Sequence, residues 1–387
     1  GLPGKGMRVL FGSCTAVHQA WYPSLEIFNI LLKWHKDLQP FSFFLHLGDI
    51  VYTDIGTEFD AIFSQTLARV PFSDSYHLLL SDSFFSSFQR FVPTFHMYDD
   101  HEIENDYARG GTPLYKEALS YYEQFIHTRN PQTKWFEEEG EYYYNFRYSK
   151  DVSVFVLDTR KYFYPLSSPA PSSCSPSADT CVPSQISTST PSPQTASPTT
   201  PPEKSLLGET QLIRVINWLN EQQQHNVSLK IIASPVSWSS SSALFPDSQN
   251  PAEITHIFNH IHAHGICGVV ILSGDAHYGM AIQYIFPNTN TNTTTSPMSV
   301  WEWGASPFQA FPFPLPNLPP SSRGGKWKEE RHFLKGMGYF FGILDVEEKE
   351  GLKIKIFETE PFSVPVPNVV YERRIGWEEL YKSAECK

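Results

Sequence analysis

Apolar residues along the chain fall into two alternating patterns. Short, largely apolar runs at Arg8–Gly12, Phe43–Leu47, Thr94–Met97, Val152–Leu157, Lys230–Ala233 and Gly268–Leu272 have the length and composition of strands. Between them, apolar positions recur at helical spacing over Leu25–His35, Glu58–Ala68, Leu114–Phe125, Glu209–Gln223 and Ala252–His262. Pro251 stands ahead of the last of these and Glu253 lies in its first turn, as at a helix start. Strands that alternate with helices predict an α/β fold. The final third, including Tyr339–Val346 and Leu352–Phe357, reads as strands in a meander around turns such as Glu350-Gly351.

The stretch Pro165–Pro202 breaks this rhythm. Of its 38 residues 27 are Pro, Ser or Thr, and Asp179 is its sole charge. So little apolar surface does not offset the entropy of ordering, which predicts a disordered, mucin-like insert. Alternation resumes after it, so the chain is expected to form a single domain over residues 1–387, not two joined by a linker. A second Pro-rich stretch, Pro307–Pro320, carries Phe308, Phe311 and Phe313. It is expected to pack beside the site or close over it, with a membrane-touching loop as the alternative.

Composition narrows the classes. A chain that is 41% hydrophobic has ample material for a core, and a formal charge of −12 argues against nucleic acid as a stable partner. No apolar run approaches the roughly 20 residues that span a bilayer. The five cysteines leave at least one without an intramolecular partner. Cys174 and Cys181 are spaced to bridge, and Cys267 and Cys386 are expected to be a buried thiol and a tail residue. The sequons Asn226-Val-Ser228 and Asn292-Thr-Thr294 suit a glycoprotein of a secretory compartment. The start at Gly1 fits a trimmed N-terminus and says nothing about secretion; the sequons and the mucin-like insert make a secreted or cell-surface location the expectation.

Chemistry gathers where the runs stop. Arg8–Gly12 leads into Ser13-Cys14, and Phe43–Leu47 into Gly48-Asp49-Ile50-Val51-Tyr52. Thr94–Met97 leads into Tyr98-Asp99-Asp100-His101-Glu102, and Gly268–Leu272 into Ser273-Gly274-Asp275-Ala276-His277. In open α/β sheets the loops at the carboxyl ends of strands converge on one crevice. Cys14, Asp49, Tyr52, Asp100, His101, Asp275 and His277 are therefore expected to form one metal-binding site. His256, His260, His262 and His264 lack a closing carboxylate or Cys set at zinc-like spacing and read as a solvated helix face.

The order of these motifs resembles the calcineurin-like metallophosphoesterases and, within them, the PhoD-like alkaline phosphatases. Leu157-Asp158-Thr159-Arg160 and Gly208-Glu-Thr-Gln211 extend the likeness, which runs from about Val9 to about Ser306. It implies a four-layer αββα sandwich of two mixed sheets flanked by helices. Bacterial members carry a β domain ahead of the first motif, which here starts at Gly12. Thiolate, phenolate, carboxylate and imidazole suit a transition metal, and the resemblance implies iron(III) on Cys14, Asp49, Tyr52 and His277. Asp49 is expected to bridge to a second cation on Asp100 and Asp275, an oxygen set suited to calcium, with magnesium or zinc as alternatives. Ser234 and Asn105 are candidates for further ligands.

The expected reaction is hydrolysis of phosphate monoesters or diesters by a two-metal hydroxide mechanism. His101 is the candidate general acid, and Arg160 and Asn105 are candidate contacts to the substrate phosphate. A non-catalytic cell-surface glycoprotein and a lipid phosphodiesterase are the alternative readings.

Overall fold

Strand β1 (Met7–Gly12) pairs in parallel with β2 (Phe43–Leu47), and β2 with β3 (Thr94–Met97). On its other edge β1 pairs antiparallel with β11 (Tyr339–Glu347), followed by β12 (Gly351–Thr359) and β13 (Asn368–Ile375). These six strands make one mixed sheet, in the order β13-β12-β11-β1-β2-β3. The computed structural model describes residues 6–17, 24–54, 69–108, 112–163, 205–239, 251–287, 297–312, 327–361 and 363–381. The expected helix Glu58–Ala68, the insert at 165–202 and the sequon at Asn292 lie outside the described residues.

The second sheet is also mixed. Strands β5 (Val152–Val156), β6 (Leu229–Ser234), β7 (Val269–Ser273) and β9 (Ser299–Ala305) run parallel. Antiparallel strands β4 (Tyr144–Arg147), β8 (Gly279–Ile285) and β10 (Lys328–Lys335) complete the order β10-β8-β9-β7-β6-β5-β4. Every residue of β2, β5, β6 and β7 is buried, as expected where both faces of a strand are covered.

The cover is helical on the outer sides. Phe28 of helix Glu26–Asp37 packs on Phe44 and Phe88, and Trp34 on Phe341 and Phe357 of the first sheet. Trp218 of helix Gly208–Gln224 packs on Phe155, and Phe258 of helix Pro251–Ala263 on Tyr284 of the second sheet. The inner faces meet where β1 and β11 lie against β9, and β2 against β6. One core cluster runs through all of these layers, which is the expected αββα sandwich.

One expectation is revised: Cys267 is disulfide-bonded and not a thiol, whereas Cys14 is free. In the stretch that begins at Pro307, Phe308 is 2% exposed and stacks between Phe28 and Phe341 in the core.

Candidate metal centre

The parallel strands of both sheets deliver their following residues to one edge. Cys14 follows β1, Asp49 follows β2, Asp100 follows β3, Arg160 follows β5 and Asp275 follows β7. Tight turns are needed to aim these side chains back across the strand ends. Cys14, Asp49, Asp275 and His277 all adopt positive φ, between 53° and 63°, a region that residues other than Gly enter at a cost. Such strain is held only where surrounding contacts over-determine it, and it marks functional sites.

The two glycines that precede the aspartates are explained by close approach. A Cβ on Gly48 would stand 2.4 Å from Asp99 Cβ, and one on Gly274 would stand 2.6 Å from Ser13 Oγ. Neither gap admits a side chain, so the loops meet only if both positions are Gly.

Three ligand clusters result among the described residues. Cys14, Asp49 and His277 form one; Asp49, Asp100 and His101 a second; Asp49, Asp99, Asp100 and Asp275 a third, the atoms of each within 4.8 Å of one another. Asp49 belongs to all three. The Cys14 thiol donates to Asp49 Oδ2 at 3.2 Å, and the Tyr52 hydroxyl lies 3.1 Å from His277 Nε2 and 3.5 Å from Asp49 Oδ2. His277 Nδ1 donates to the Phe311 carbonyl, which sets the tautomer that leaves Nε2 as the ligating nitrogen.

Electrostatics favour cations here. Burial pushes the Cys14 thiol up to about 12, with Asp275 adding to the effect. Burial, then Cys14 and Asp100, push the Asp49 carboxyl well above the usual carboxylate range. Burial holds His277 neutral, lowered to about 4. Asp100 Oδ1 is a buried oxygen with no hydrogen bond among the described residues, only an ion-pair contact with Arg160. Four carboxylates and a thiol therefore surround one guanidinium, a charge imbalance that divalent or trivalent ions would offset. The donor set fits the expected pair of metals: sulfur, phenol and imidazole on one side of Asp49, oxygens on the other.

Arg160 is in the cluster but beneath it. It is fully buried; its guanidinium grips both oxygens of Asp99 and lies 3.3 Å from Asp100 Oδ1 and 3.8 Å from Asp275 Oδ1. Asn105 lies at the rim, exposed, with its amide 3.2 Å from Asp106 Oδ2. Ser234 is the last residue of β6, and its Oγ donates to the Val236 carbonyl.

Sequence reasoning missed two carboxylates. Asp54 accepts from His101 Nδ1 at 2.9 Å and from the Asn105 backbone N–H, which fixes the imidazole against the stacked ring of Tyr52. Glu102 accepts from the backbone N–H groups of Asp49, Ile50 and Asp99, and so ties the loop after β2 to the loop after β3. Burial raises Glu102 to about 7. Asp54 stands two residues past Tyr52 in a segment already assigned to the site, and Glu102 closes the Asp-Asp-His-Glu motif. Those were the available signals.

The sequence pattern described as PhoD-like phosphatase matches residues 10–350. A solved structure of PhoD is similar at a TM-score of 0.60 and 17% identity, covering 97% of this chain and 73% of that one. The purple acid phosphatase PPD1 from seeds of yellow lupin (Lupinus luteus) is similar at a TM-score of 0.50 and 11% identity, covering 97% of this chain and 55% of that one. No curated protein matches in sequence.

Proposed function

This chain belongs to the PhoD-like phosphatase family and is a phosphoric ester hydrolase; we propose that it cleaves phosphate monoesters or diesters outside the cell with a pair of cations shared by Asp49. The observation that carries this reading is the membership of Asp49 in every ligand cluster, at an edge where separate strand ends converge. Cys14, Tyr52 and His277 would hold iron beside it, and Asp100 and Asp275 the second ion, calcium being the best match to an oxygen set. When bound, such a pair supplies Lewis acidity and lowers the pKa of water.

The residues of the chain do the rest. Arg160 holds Asp99 and stands beside Asp100 and Asp275, and so aims the ligand carboxylates. His101, gripped at Nδ1 by Asp54, presents Nε2 as the nitrogen that exchanges a proton with the leaving oxygen. Asn105, exposed beside Asp106, would meet the ester. No helix among the described residues is long and apolar enough to cross a membrane. The extracellular setting rests on the mucin-like composition of residues 165–202 and on the disulfide at Cys267.

Elemental analysis combined with His101→Ala turnover of p-nitrophenyl phosphate tests the reading. The expected result is iron with calcium, and a loss of ~10²-fold or more in kcat. A metal-free chain that still turned over the ester would overturn it.

A further inference from the structure

Asn226 follows helix Gly208–Gln224 and its cap His225, and it is exposed with φ 53°. Asn tolerates this left-handed position better than most residues, so helix termination by itself explains an Asn at 226. It does not explain a hydroxyl residue at 228. Ser228 is used by the fold through its carbonyl, which accepts from the Tyr381 hydroxyl, whereas its own hydroxyl makes no hydrogen bond among the described residues. The Asn226 side-chain amide makes none either. Between them, Val227 is 2% exposed and its N–H donates to the Gln222 carbonyl, so the tripeptide is anchored at its centre.

A second observation concerns the compartment. Lys230 Nζ donates to the carbonyls of Val227 and Cys267, at 2.8 and 2.9 Å, which puts the root of the disulfide in the same corner as the sequon. Structural disulfides persist in oxidising compartments, where sequons are also modified.

We infer that Asn226 is a site of N-linked glycosylation. The donor class is an oligosaccharide carried on a lipid pyrophosphate. The Asn226 Nδ2 forms a bond to the sugar C1, the bond from C1 to the pyrophosphate oxygen breaks, and the amide proton leaves with the pyrophosphate. Position makes the modification compatible with catalysis. Parallel strands β5, β6 and β7 end at the metal centre, and Asn226 precedes the start of β6, so the sugar projects from the opposite pole. The inference is independent of the phosphatase reading and rests on the extracellular one.

The test uses full-length protein secreted by cells that produce it, digested with and without peptide-N-glycosidase and analysed by peptide mass. The peptide containing residue 226 is expected as a glycopeptide that the glycosidase converts to one with Asp at that position. Asn226→Gln and Ser228→Ala should lose the sugar, while Ser228→Thr should keep it, because a structural amide would not depend on a hydroxyl two residues on. In Asn226→Gln, kcat/KM is expected to stay within about twofold, as for a remote surface change. An unmodified Asn226 peptide with Cys267 oxidised overturns the site itself. Reduced Cys267 in the same sample overturns the compartment argument instead.

Discussion

The guanidinium of Arg160 is enclosed on all sides, with Asp99 chelating it and Asp100 and Asp275 within ion-pair reach. Removing one member of a buried pair leaves the other charge stranded, at a cost of about 3–5 kcal/mol. Arg160→Met is therefore expected to lower unfolding free energy by that order and to reduce metal content; a raised KM with unchanged stability would instead mean a contact with substrate. Glu102 gives a subtler case. Its carboxylate serves three backbone N–H groups, and Gln in its place turns one acceptor into a donor. Glu102→Gln is expected to weaken metal retention about 10–100-fold in chelator competition, the range seen for groups that support ligands. Glu253→Gln supplies the control, since Glu253 likewise accepts from three backbone N–H groups, of Leu206, Leu207 and Gly208, but is in none of the ligand clusters among the described residues. Equal metal loss in both variants would reduce Glu102 to a fold-stabilising role. The ligands were legible in the sequence because each ends an apolar run, whereas the work of Arg160 was not, because burial depends on what the other sheet places above it.

Strands β2 and β3 carry His46 and His96 side by side, and His127 packs nearby against Tyr142 and Tyr144. All three are buried, and burial lowers His46 to about 3, His127 to about 4 and His96 well below the ordinary value of 6.5. Their folded values are depressed, so below about pH 6.5 the unfolded chain binds more protons than the folded one and stability falls with pH. Each such histidine removes about 1.4 kcal/mol per pH unit between its unfolded and folded values. The raised Asp49 and Glu102 carboxyls act in the opposite sense over the same range, so the check is made on the individual rings: NMR titration of the folded chain is expected to find His46, His96 and His127 neutral at pH 5, and protonation of all three near pH 6.5 would refute their burial. The strands themselves were readable from composition, since β2 and β3 coincide with the runs Phe43–Leu47 and Thr94–Met97. Helices Phe72–Ser81 and Ser83–Gln89 were not, because their aromatic and serine residues give no clean helical stripe and tertiary packing on Phe28 and Tyr121 decides them.

At the scale of the molecule, the metal centre is the joint between two sheets. Cys14, Asp49 and Asp100 come from the six-stranded sheet, and Asp275 and His277 follow β7 of the seven-stranded one. Ions held there would oppose separation of the layers and neutralise their mutual repulsion. Stripping the protein with chelators is expected to lower its melting temperature as well as abolish turnover. The linked loss is about 4 kcal/mol for ions present at a thousand times their Kd. Recovery with iron and calcium, followed by calorimetry, checks both effects; an unshifted melting curve would detach the ions from the fold.

The sequence alone determined the alternation of strands and helices and the residues that stand at strand ends, because apolar period and turn chemistry are local properties. It also placed a glycine ahead of Asp49 and of Asp275. Only the tertiary structure decided which of these residues touch. The pairing of Asp54 with His101, of Arg160 with Asp99 and of Glu102 with two loops depends on the register of strands far apart in the chain, and no local pattern encodes that register. The bond at Cys267 and the unengaged side chains of Asn226 and Ser228 belong to the same class, since exposure is a property of the packed molecule.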